Sequence, residues 1–180
     1  MSDMPGHFAF RTKAGWLAVA ASARGLKAVT LPQQTRQRAL DMLPDSRTAA
    51  CSPPRFEDLA ERITGYFDGH RQDFNDALDL TAATPFQRRV WLAARLIPYG
   101  ETRSYRQLAA GIGQPGAARA VGRALARNPL AIIVPCHRVL KADGGLGGFA
   151  GGLDMKCYLL SLEATTGGRP QSGSPNSLAR

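Results

Sequence analysis

A cysteine and a histidine stand next to each other in the stretch IIVPCHRVL, residues 132–140, behind a proline and in front of an arginine. A thiolate is a strong nucleophile, and a histidine partner or positive surroundings lower the pKa of a thiol. Cys136 is therefore the residue that we expect to form a covalent bond. Cys51 and Cys157 have no adjacent histidine and lie outside the arginine-rich block of residues 85–138, and we expect them to be buried small hydrophobic side chains.

Two other roles for Cys136 would be a zinc ligand and the nucleophile of a hydrolase. A structural zinc site needs four ligands, and His7, His70 and the remaining cysteines show no ligand spacing, so no metal site is predicted. A cysteine hydrolase brings its cysteine and histidine together from distant parts of the chain. Adjacent side chains tend to diverge, so His137 would need a relay, such as a water molecule, to activate its neighbour. The spacing predicts a nucleophile and leaves its target open.

The positive charge of the chain is concentrated before this cysteine. Residues 85–138 hold nine arginines, no lysine and one acid, Glu101, and so account for eight of the nine excess charges. Such a block is typical of a polyanion-binding surface, although a solvated basic surface would have the same composition.

Apolar stretches without charge reach only about ten residues, whereas a membrane span needs roughly 20. The odd number of cysteines and the lack of a leading apolar signal predict a cytoplasmic protein.

The elements that must position these residues follow from apolar spacing and capping signals. Three short apolar runs in residues 8–31 predict a small antiparallel sheet, and residues 56–67 have helical spacing. Thr84, Pro85 and Gln87 predict a capped helix that ends at Leu96. The fold class is therefore α/β (α+β), with an N-terminal antiparallel sheet domain and a mostly helical C-terminal domain, divided at about residue 83.

A helix-turn-helix is predicted within the basic block. Ser104 and Gln107 form a capping box for the first helix, and Pro115 is predicted to begin a second helix that Asn128 closes. Three arginines recur every fourth residue there, at positions 119, 123 and 127, and therefore share one face. Small residues between them suit a helix laid against a phosphodiester backbone, although an ordinary amphipathic helix would look similar.

The chain after the cysteine contains a glycine-rich loop and a last helix. GGLGGFAGG, residues 144–152, has six glycines in nine residues, which predicts a backbone that passes close to a ligand; a plain surface loop is the alternative. A helix over residues 153–164 would place Lys156 and Glu163 on one side. Residues 166–180 are predicted to be a disordered tail.

Four stretches resemble, in this order and spacing, the O6-alkylguanine-DNA alkyltransferases, or methylated-DNA-protein-cysteine methyltransferases: IPYGETRSY, GAARAVGRALARNP, IIVPCHRV and GFAGGLDMK. The likeness is dense over residues 84–164 and weaker but in register over 8–80. It implies a ribonuclease-H-like sheet domain over 1–83 and a DNA-binding, alkyl-acceptor domain over 84–165. It also implies a suicidal repair reaction, in which the cysteine takes the alkyl group from O6 of guanine in double-stranded DNA, with O4-alkylthymine a further candidate. The protein would work as a monomer without a cofactor, and cooperative binding is left open.

The resemblance also implies a role for individual residues. Cys136 would be the acceptor, His137 its base through a water, Glu163 the residue that orients His137, and Tyr105 a donor toward N3 of the leaving guanine. Lys156 would assist at the pocket. Arg119 would enter the minor-groove side of the base stack where the damaged nucleotide has rotated out. The other implied DNA contacts are Ser104, Arg106, Ala120, Arg123 and Arg127, and the implied pocket residues are Asn128, Pro135, Val139, Gly148, Phe149 and Ala150.

The chain departs from the family pattern in the pocket loop. Phe149 and Ala150 stand where some relatives have tyrosine and serine, so backbone amides would have to bond to O6, and the pocket should accept alkyl groups larger than methyl. A damage sensor that flips lesions without chemistry is the main alternative function. Such relatives lack the acceptor cysteine, which is present here as Cys136.

Overall fold

The first three strands of the chain make one antiparallel sheet. They are β1 (Gly6–Thr12), β2 (Gly15–Ser22) and β3 (Gly25–Val29), and they lie in that order in the sheet. The computed structural model describes residues 6–44 and 55–166. The three predicted strands are thus confirmed, while Cys51 and the tail after residue 166 lie outside the described residues. At the turn into β3, Gly25 has φ 141° and a Cβ there would lie 2.2 Å from the carbonyl oxygen of Ala77. Glycine is required at this position because the returning chain passes so closely.

Two helices follow the sheet. The short α1 (Arg36–Asp41) is capped by Thr35, and α2 (Arg55–Phe67) confirms the helix predicted from apolar spacing. Leu59, Ile63, Tyr66 and Phe67 of α2 are fully or almost fully buried. They belong to the same hydrophobic core as Leu17 of β2 and Trp91, so α2 connects the first part of the chain with the helices that come later.

The second part of the chain contains α3 (Pro85–Arg95), α4 (Tyr105–Gly111), α5 (Ala118–Leu125) and α6 (Gly152–Thr166). Both predicted capping boxes are present, at Thr84 and at Ser104. The predicted start of the second helix was wrong: Pro115 lies in a turn, and α5 begins three residues later. The signal at Pro115 misled because Gly116 favours a turn and Ala117, the N-cap, makes no side-chain cap.

A second sheet, which was not predicted, links α4 to the cysteine. Strand β4 (Arg103–Ser104) pairs in parallel with β5 (Val139–Leu140), and a 3₁₀ turn covers Cys136–Arg138 just before β5. On the other side, the amide of Ala131 donates to the carbonyl of Val29 at 3.0 Å. The segment that leads to the cysteine is therefore held at one end by β3 and at the other by β4.

One continuous hydrophobic core joins the sheet to the helices. It runs from Leu17 in β2 through Ile63 in α2 and Trp91 in α3 to Leu159 in α6. A smaller cluster covers the other face of the sheet with Ala39 of α1. Burial of apolar side chains in this shared core holds the three-stranded sheet in a fixed position relative to the segment that carries Cys136. Across residues 6–44 and 55–166, the helices fall short of the length and apolar character needed to cross a membrane.

Candidate active site

The chain reaches Cys136 through two tight turns. Ile132 has φ 71°, and the amide of Ile133 donates to the carbonyl of Ala131 at 2.8 Å. A positive φ is an outlier for a β-branched residue, and such strain is concentrated at functional sites. The amide of Cys136 donates in the same way to the carbonyl of Val134 at 2.8 Å. Burial of Ile132 and its neighbours in the core holds this irregular backbone in place.

Asn128 connects this segment to the thiol. Its side-chain Nδ2 donates to the carbonyl of Val134 at 2.9 Å and lies 3.4 Å from Sγ of Cys136. Its Oδ1 accepts from the amide of Leu130 at 3.0 Å. Burial raises the pKa of Cys136, while the Asn128 hydrogen bond and the charge of Lys156 lower it. The thiol therefore needs a base to become a thiolate.

Lys156 is fully buried on α6 beneath the glycine-rich loop. Its ammonium donates to the carbonyl of Val139 at 2.6 Å and to the carbonyl of Leu146. It also lies 5.9 Å from the centroid of the Tyr105 ring. This one cation thus ties together β5, the loop and the N-terminus of α4, and it places a positive charge near the thiol.

His137 and Glu163 form a buried pair. Nε2 of His137 lies 2.8 Å from Oε1 of Glu163, and neither side chain is more than 1% exposed. Burial lowers the pKa of His137, so the imidazole is neutral. Because the carboxylate can only accept, Nε2 carries the hydrogen and Nδ1 keeps a lone pair. Nδ1 is buried and bonds to no described residue, so it is the basic atom of this pair.

Three further donors hold the Glu163 carboxylate. Arg138 donates to both oxygens at 2.9 Å, the amide of Gly100 donates to Oε2 at 3.0 Å, and the hydroxyl of Tyr66 donates to Oε1 at 2.7 Å. Burial by itself would raise the pKa of Glu163, but the hydrogen bonds from His137 and Arg138 lower it to about 2. The carboxylate is therefore charged at every physiological pH.

Sequence reasoning missed the parts played by Tyr66 and Arg138. Arg138 stands in the PCHRV stretch, but as a buried partner of an acid 25 residues away it gave no local signal. Tyr66 is 97 residues from Glu163 and looked like an ordinary apolar position of α2. Both belong to the site through tertiary contacts that periodicity does not encode.

Tyr105, which is close enough to Cys136 for the two to interact electrostatically, forms a cleft with the glycine-rich loop. The Tyr105 hydroxyl lies 3.4 Å from the carbonyl of Gly148, and a Cβ on Gly147 would come within 2.7 Å of that hydroxyl. Burial and the nearby Cys136 raise the pKa of Tyr105, so the phenol stays a donor. The cleft has a volume of about 800 Å³. Its lining includes Tyr105, Arg106, Arg119, Arg123, Gly148, Phe149 and Ala150.

Only two of the three arginines that were predicted to share one helix face lie on α5. Arg119 and Arg123 are exposed on the helix, but Arg127 lies beyond its last residue, Leu125, and the prediction of a single helix face was wrong for it. Arg127 nevertheless lines a small depression with Ala120 and Arg123. Arg119 and Arg123 therefore border the cleft, and Arg123 and Arg127 border the depression next to it.

The other predicted residues have different positions, and Cys157, which we expected to be a buried hydrophobic side chain, is exposed on α6. Ser104 caps α4 by accepting from the amide of Gln107 at 3.1 Å, and Val139 pairs with Arg103 between β4 and β5. Pro135 lines a second groove of about 820 Å³, on the side of Leu96 and Tyr99, which the cleft residues do not share. Among residues 6–44 and 55–166, no cluster of three potential metal ligands occurs.

A cysteine next to a buried histidine–glutamate pair, following an arginine-bordered helix-turn-helix, is the arrangement expected of a DNA-binding protein that forms a covalent bond. The family model for the 6-O-methylguanine DNA methyltransferase DNA-binding domain matches residues 85–165. A methylated-DNA–protein-cysteine methyltransferase of Mycolicibacterium paratuberculosis is 52% identical over 134 residues, covering 73% of this chain and 81% of that one. The same-named protein of Methanosarcina acetivorans is 42% identical, covering 87% and 96%.

Solved structures agree with these sequence comparisons. The crystal structure of Mycobacterium tuberculosis OGT in complex with DNA is similar with a TM-score of 0.75 and 42% identity, and the match covers 89% of this chain and 94% of that one. The chain belongs to the 6-O-methylguanine DNA methyltransferase family.

Proposed function

We propose that this protein repairs DNA as a methylated-DNA–protein-cysteine methyltransferase that is consumed in a single turnover. The thiolate Sγ of Cys136 attacks the alkyl carbon on O6 of guanine, the carbon–oxygen bond breaks, and its electron pair leaves with the guanine. The product is an S-alkylcysteine and an unmodified base, and no cofactor enters the reaction. The buried pair of His137 with Glu163, next in sequence to Cys136, is the observation that carries this proposal, and the arginine-bordered cleft lined by Tyr105 supports it.

The thiol proton goes to His137 in this mechanism. Nδ1 is the atom with the lone pair, and we assign it the thiol proton through a bridging water. Glu163 balances the imidazolium that results, because its carboxylate is already charged and faces Nε2 at 2.8 Å. The positive charge of Lys156 adds to the stabilisation of the thiolate.

Departure of guanine requires a proton or hydrogen bond on the base. Tyr105 has a protonated hydroxyl at the cleft, and we assign it the donor role toward N3 of guanine. Making guanine a better leaving group accelerates the displacement, since a thiolate otherwise expels an oxyanion with difficulty. Lys156 holds the Val139 carbonyl, which, with the carbonyl of Cys136, would recognise the exocyclic amine of guanine.

Double-stranded DNA would lie with its minor groove against α5, and the damaged nucleotide would be rotated into the cleft. Arg119 would occupy the space that this nucleotide leaves. The pocket around the flipped base would be formed by Asn128, Val139, Gly148, Phe149 and Ala150, whereas Pro135 lines the separate groove beside Leu96 and Tyr99. Phosphate or groove contacts would come from Ser104, Arg106, Ala120, Arg123 and Arg127.

Several expectations complete this proposal and stay predictions. The chain would act as a monomer in the cytoplasm, with residues 1–83 as a ribonuclease-H-like domain and 84–165 as the DNA-binding and acceptor domain. O4-alkylthymine would be a second substrate, tested with the same assay. The core that runs across residue 83 fits a structural role for the first part.

The decisive experiment is the intact mass of the protein after incubation with a duplex that contains one O6-methylguanine. The expected result is a gain of one methylene mass per molecule and no more, absent in Cys136→Ala. Tight binding to the lesion without a mass gain would instead favour the damage-sensor function. Repeated turnover of an ester or peptide would favour the hydrolase.

A further inference from the structure

Tyr66 brings the first part of the chain into direct contact with the Glu163–His137 pair. Its hydroxyl donates to Oε1 of Glu163 at 2.7 Å and lies 3.4 Å from Nε2 of His137. Oε1 is the same oxygen that faces His137 Nε2 at 2.8 Å. A residue of α2 and the candidate base therefore share one acceptor atom.

We propose that Tyr66 is a positioning residue for alkyl transfer: its hydroxyl shares Glu163 Oε1 with His137 Nε2, weakens that oxygen as an acceptor and thereby keeps the imidazole as a neutral base. This inference rests on the proposed function. It gives the N-terminal part of the chain a role in the chemistry besides structural support, and it assigns that role to one atom.

The position of the hydroxyl is fixed by the packing of the ring. Tyr66 is fully buried and makes edge contacts with Phe67, Phe74 and Tyr99, at centroid distances of 5.4, 6.2 and 5.9 Å. Three aromatic neighbours leave the ring one orientation, in which the hydroxyl points at the carboxylate. Burial and the charge of Glu163 raise the pKa of Tyr66, so the phenol is always a donor.

Because Glu163 Oε1 accepts from both Tyr66 and His137, Tyr66 alters how strongly Glu163 favours protonation of His137. A carboxylate oxygen that already accepts a strong hydrogen bond attracts the proton on Nε2 less, so it stabilises an imidazolium less. The charged groups around His137 are Glu163 and Lys156 on α6 and Arg138 in its own turn, with Cys136 adjacent. Lys156 and Arg138 also oppose protonation of His137. Tyr66 is an uncharged donor whose hydrogen bond weakens the attraction of the Glu163 carboxylate for the His137 proton.

Removal of the hydroxyl has a directional consequence. In Tyr66→Phe the ring and its packing remain, but Glu163 Oε1 is a stronger acceptor for His137. The imidazole would then become protonated at higher pH, and the protonated form cannot accept the thiol proton. We expect the acidic limb of the rate profile to move upward by roughly half a unit to one pH unit.

The test compares Tyr66→Phe with Tyr99→Phe and the wild type. Tyr99 is a matched control because it is buried beside Tyr66, and its hydroxyl lies 3.5 Å from the carbonyl of Leu162 instead of contacting Glu163. Single-turnover methyl transfer from a saturating O6-methylguanine duplex is measured across the pH range in which histidine titrates. The ¹⁵N chemical shifts of His137 are recorded over the same range, together with affinity for undamaged duplex.

The expected result is an upward shift of both the acidic limb and the His137 titration in Tyr66→Phe, with unchanged affinity for undamaged duplex and no shift in Tyr99→Phe. A uniform rate loss without a shift would show a merely structural role and overturn the inference. Superimposable profiles of all three proteins would overturn it as well. If the wild type transfers no methyl group, the proposed function fails, but the ¹⁵N titration still decides the effect of Tyr66 on His137.

Discussion

The side-chain amide of Asn128 lies 3.4 Å from Sγ of Cys136 and 2.9 Å from the carbonyl oxygen of Val134. One group therefore bonds to the candidate nucleophile and also holds the turn that presents it. Since the hydrogen bond to sulfur opposes the effect of burial on the pKa of Cys136, its removal has a defined direction.

Asn128→Ala is expected to raise the pKa of the Cys136 thiol by roughly half a unit to one unit, because a hydrogen bond to the thiolate is lost. The pH dependence of alkylation by iodoacetamide, without DNA, measures this shift in protein whose other cysteines are replaced by serine. Asn75→Ala, at an exposed position away from the thiol, serves as the control. An unchanged or lower thiol pKa in Asn128→Ala would contradict this role.

Gly147 and Tyr105 are in such close contact that a side chain on the loop would displace the ring. Gly147→Ala would place a Cβ 2.7 Å from the Tyr105 hydroxyl. We expect methyl transfer to slow on the order of 10- to 100-fold, the scale that a misplacement of about 1 Å costs. Gly144→Ala is the matched control, because Gly144 also has a positive φ, 84°, but open space around it. Equal rates for the two variants would refute the contact.

Glu163 and His137 predict how stability depends on pH. The pKa of Glu163 is lowered to about 2 from 4.5, so its stabilisation is complete above the unfolded pKa and is lost as pH falls from about 4.5 toward 2. The lowered pKa of His137 acts in the same direction, beginning below its unfolded value of 6.5. The Glu163 contribution is on the order of 3 kcal/mol.

Urea denaturation at a series of pH values measures this dependence. We expect a free energy of unfolding that is flat with respect to these two groups at neutral pH and decreases with acidification in two stages. Glu163→Gln should remove the lower stage and also destabilise the protein at neutral pH, because Arg138 would be left buried without its counter-ion. A wild-type stability that does not change between neutral pH and pH 5 would contradict the His137 assignment, and one that does not change between pH 4.5 and pH 2 would contradict the Glu163 assignment.

Local signals explain what the sequence could predict. The capping boxes at Thr84 and Ser104 involve residues three positions apart, so both helix starts were predictable and are confirmed. The start of α5 was not, because Ala117 offers no capping side chain. Strands β4 and β5 are two residues each, too short for any periodicity.

The residues of the candidate site also fall into two groups, those that could be identified from the sequence and those that could not. Cys136 and His137 are adjacent, and Lys156 and Glu163 share the buried side of α6, so these residues could be selected from sequence. Tyr66 could not, because its contact with Glu163 spans 97 residues and depends on how α2 packs against α6. Its apolar neighbours in α2 made it indistinguishable from a core position.

Arg119 and Arg123 should differ in their effects on DNA. Arg119→Ala is expected to slow repair of O6-methylguanine with little effect on affinity for undamaged duplex, because the finger acts on the flipped base. Arg123→Ala should weaken binding to any duplex and reduce the salt slope by about one. Arg11→Ala, an exposed arginine in β1, is the control. Equal losses from Arg119→Ala and Arg123→Ala in both assays would contradict the finger assignment.

Phe149 and Ala150 predict which alkyl groups the cleft accepts. Both line the cleft of about 800 Å³, where a methyl side chain at position 150 and the surrounding glycines leave room for a larger group. The protein should therefore transfer a benzyl group from O6 of guanine at a rate comparable with that of a methyl group. Complete refusal of the benzyl adduct would disprove this expectation.

Filling that space should make the protein selective for small adducts. Ala150→Leu is expected to retain methyl transfer and lose benzyl transfer, since added methylene groups in a pocket discriminate by about 10- to 200-fold each. The measurement is the ratio of the two single-turnover rates, which cancels any common loss of DNA affinity. Ala164→Leu, an exposed position near the end of α6, should leave the ratio unchanged. An unaltered ratio in Ala150→Leu would place the alkyl group elsewhere in the cleft, on the side of Tyr105.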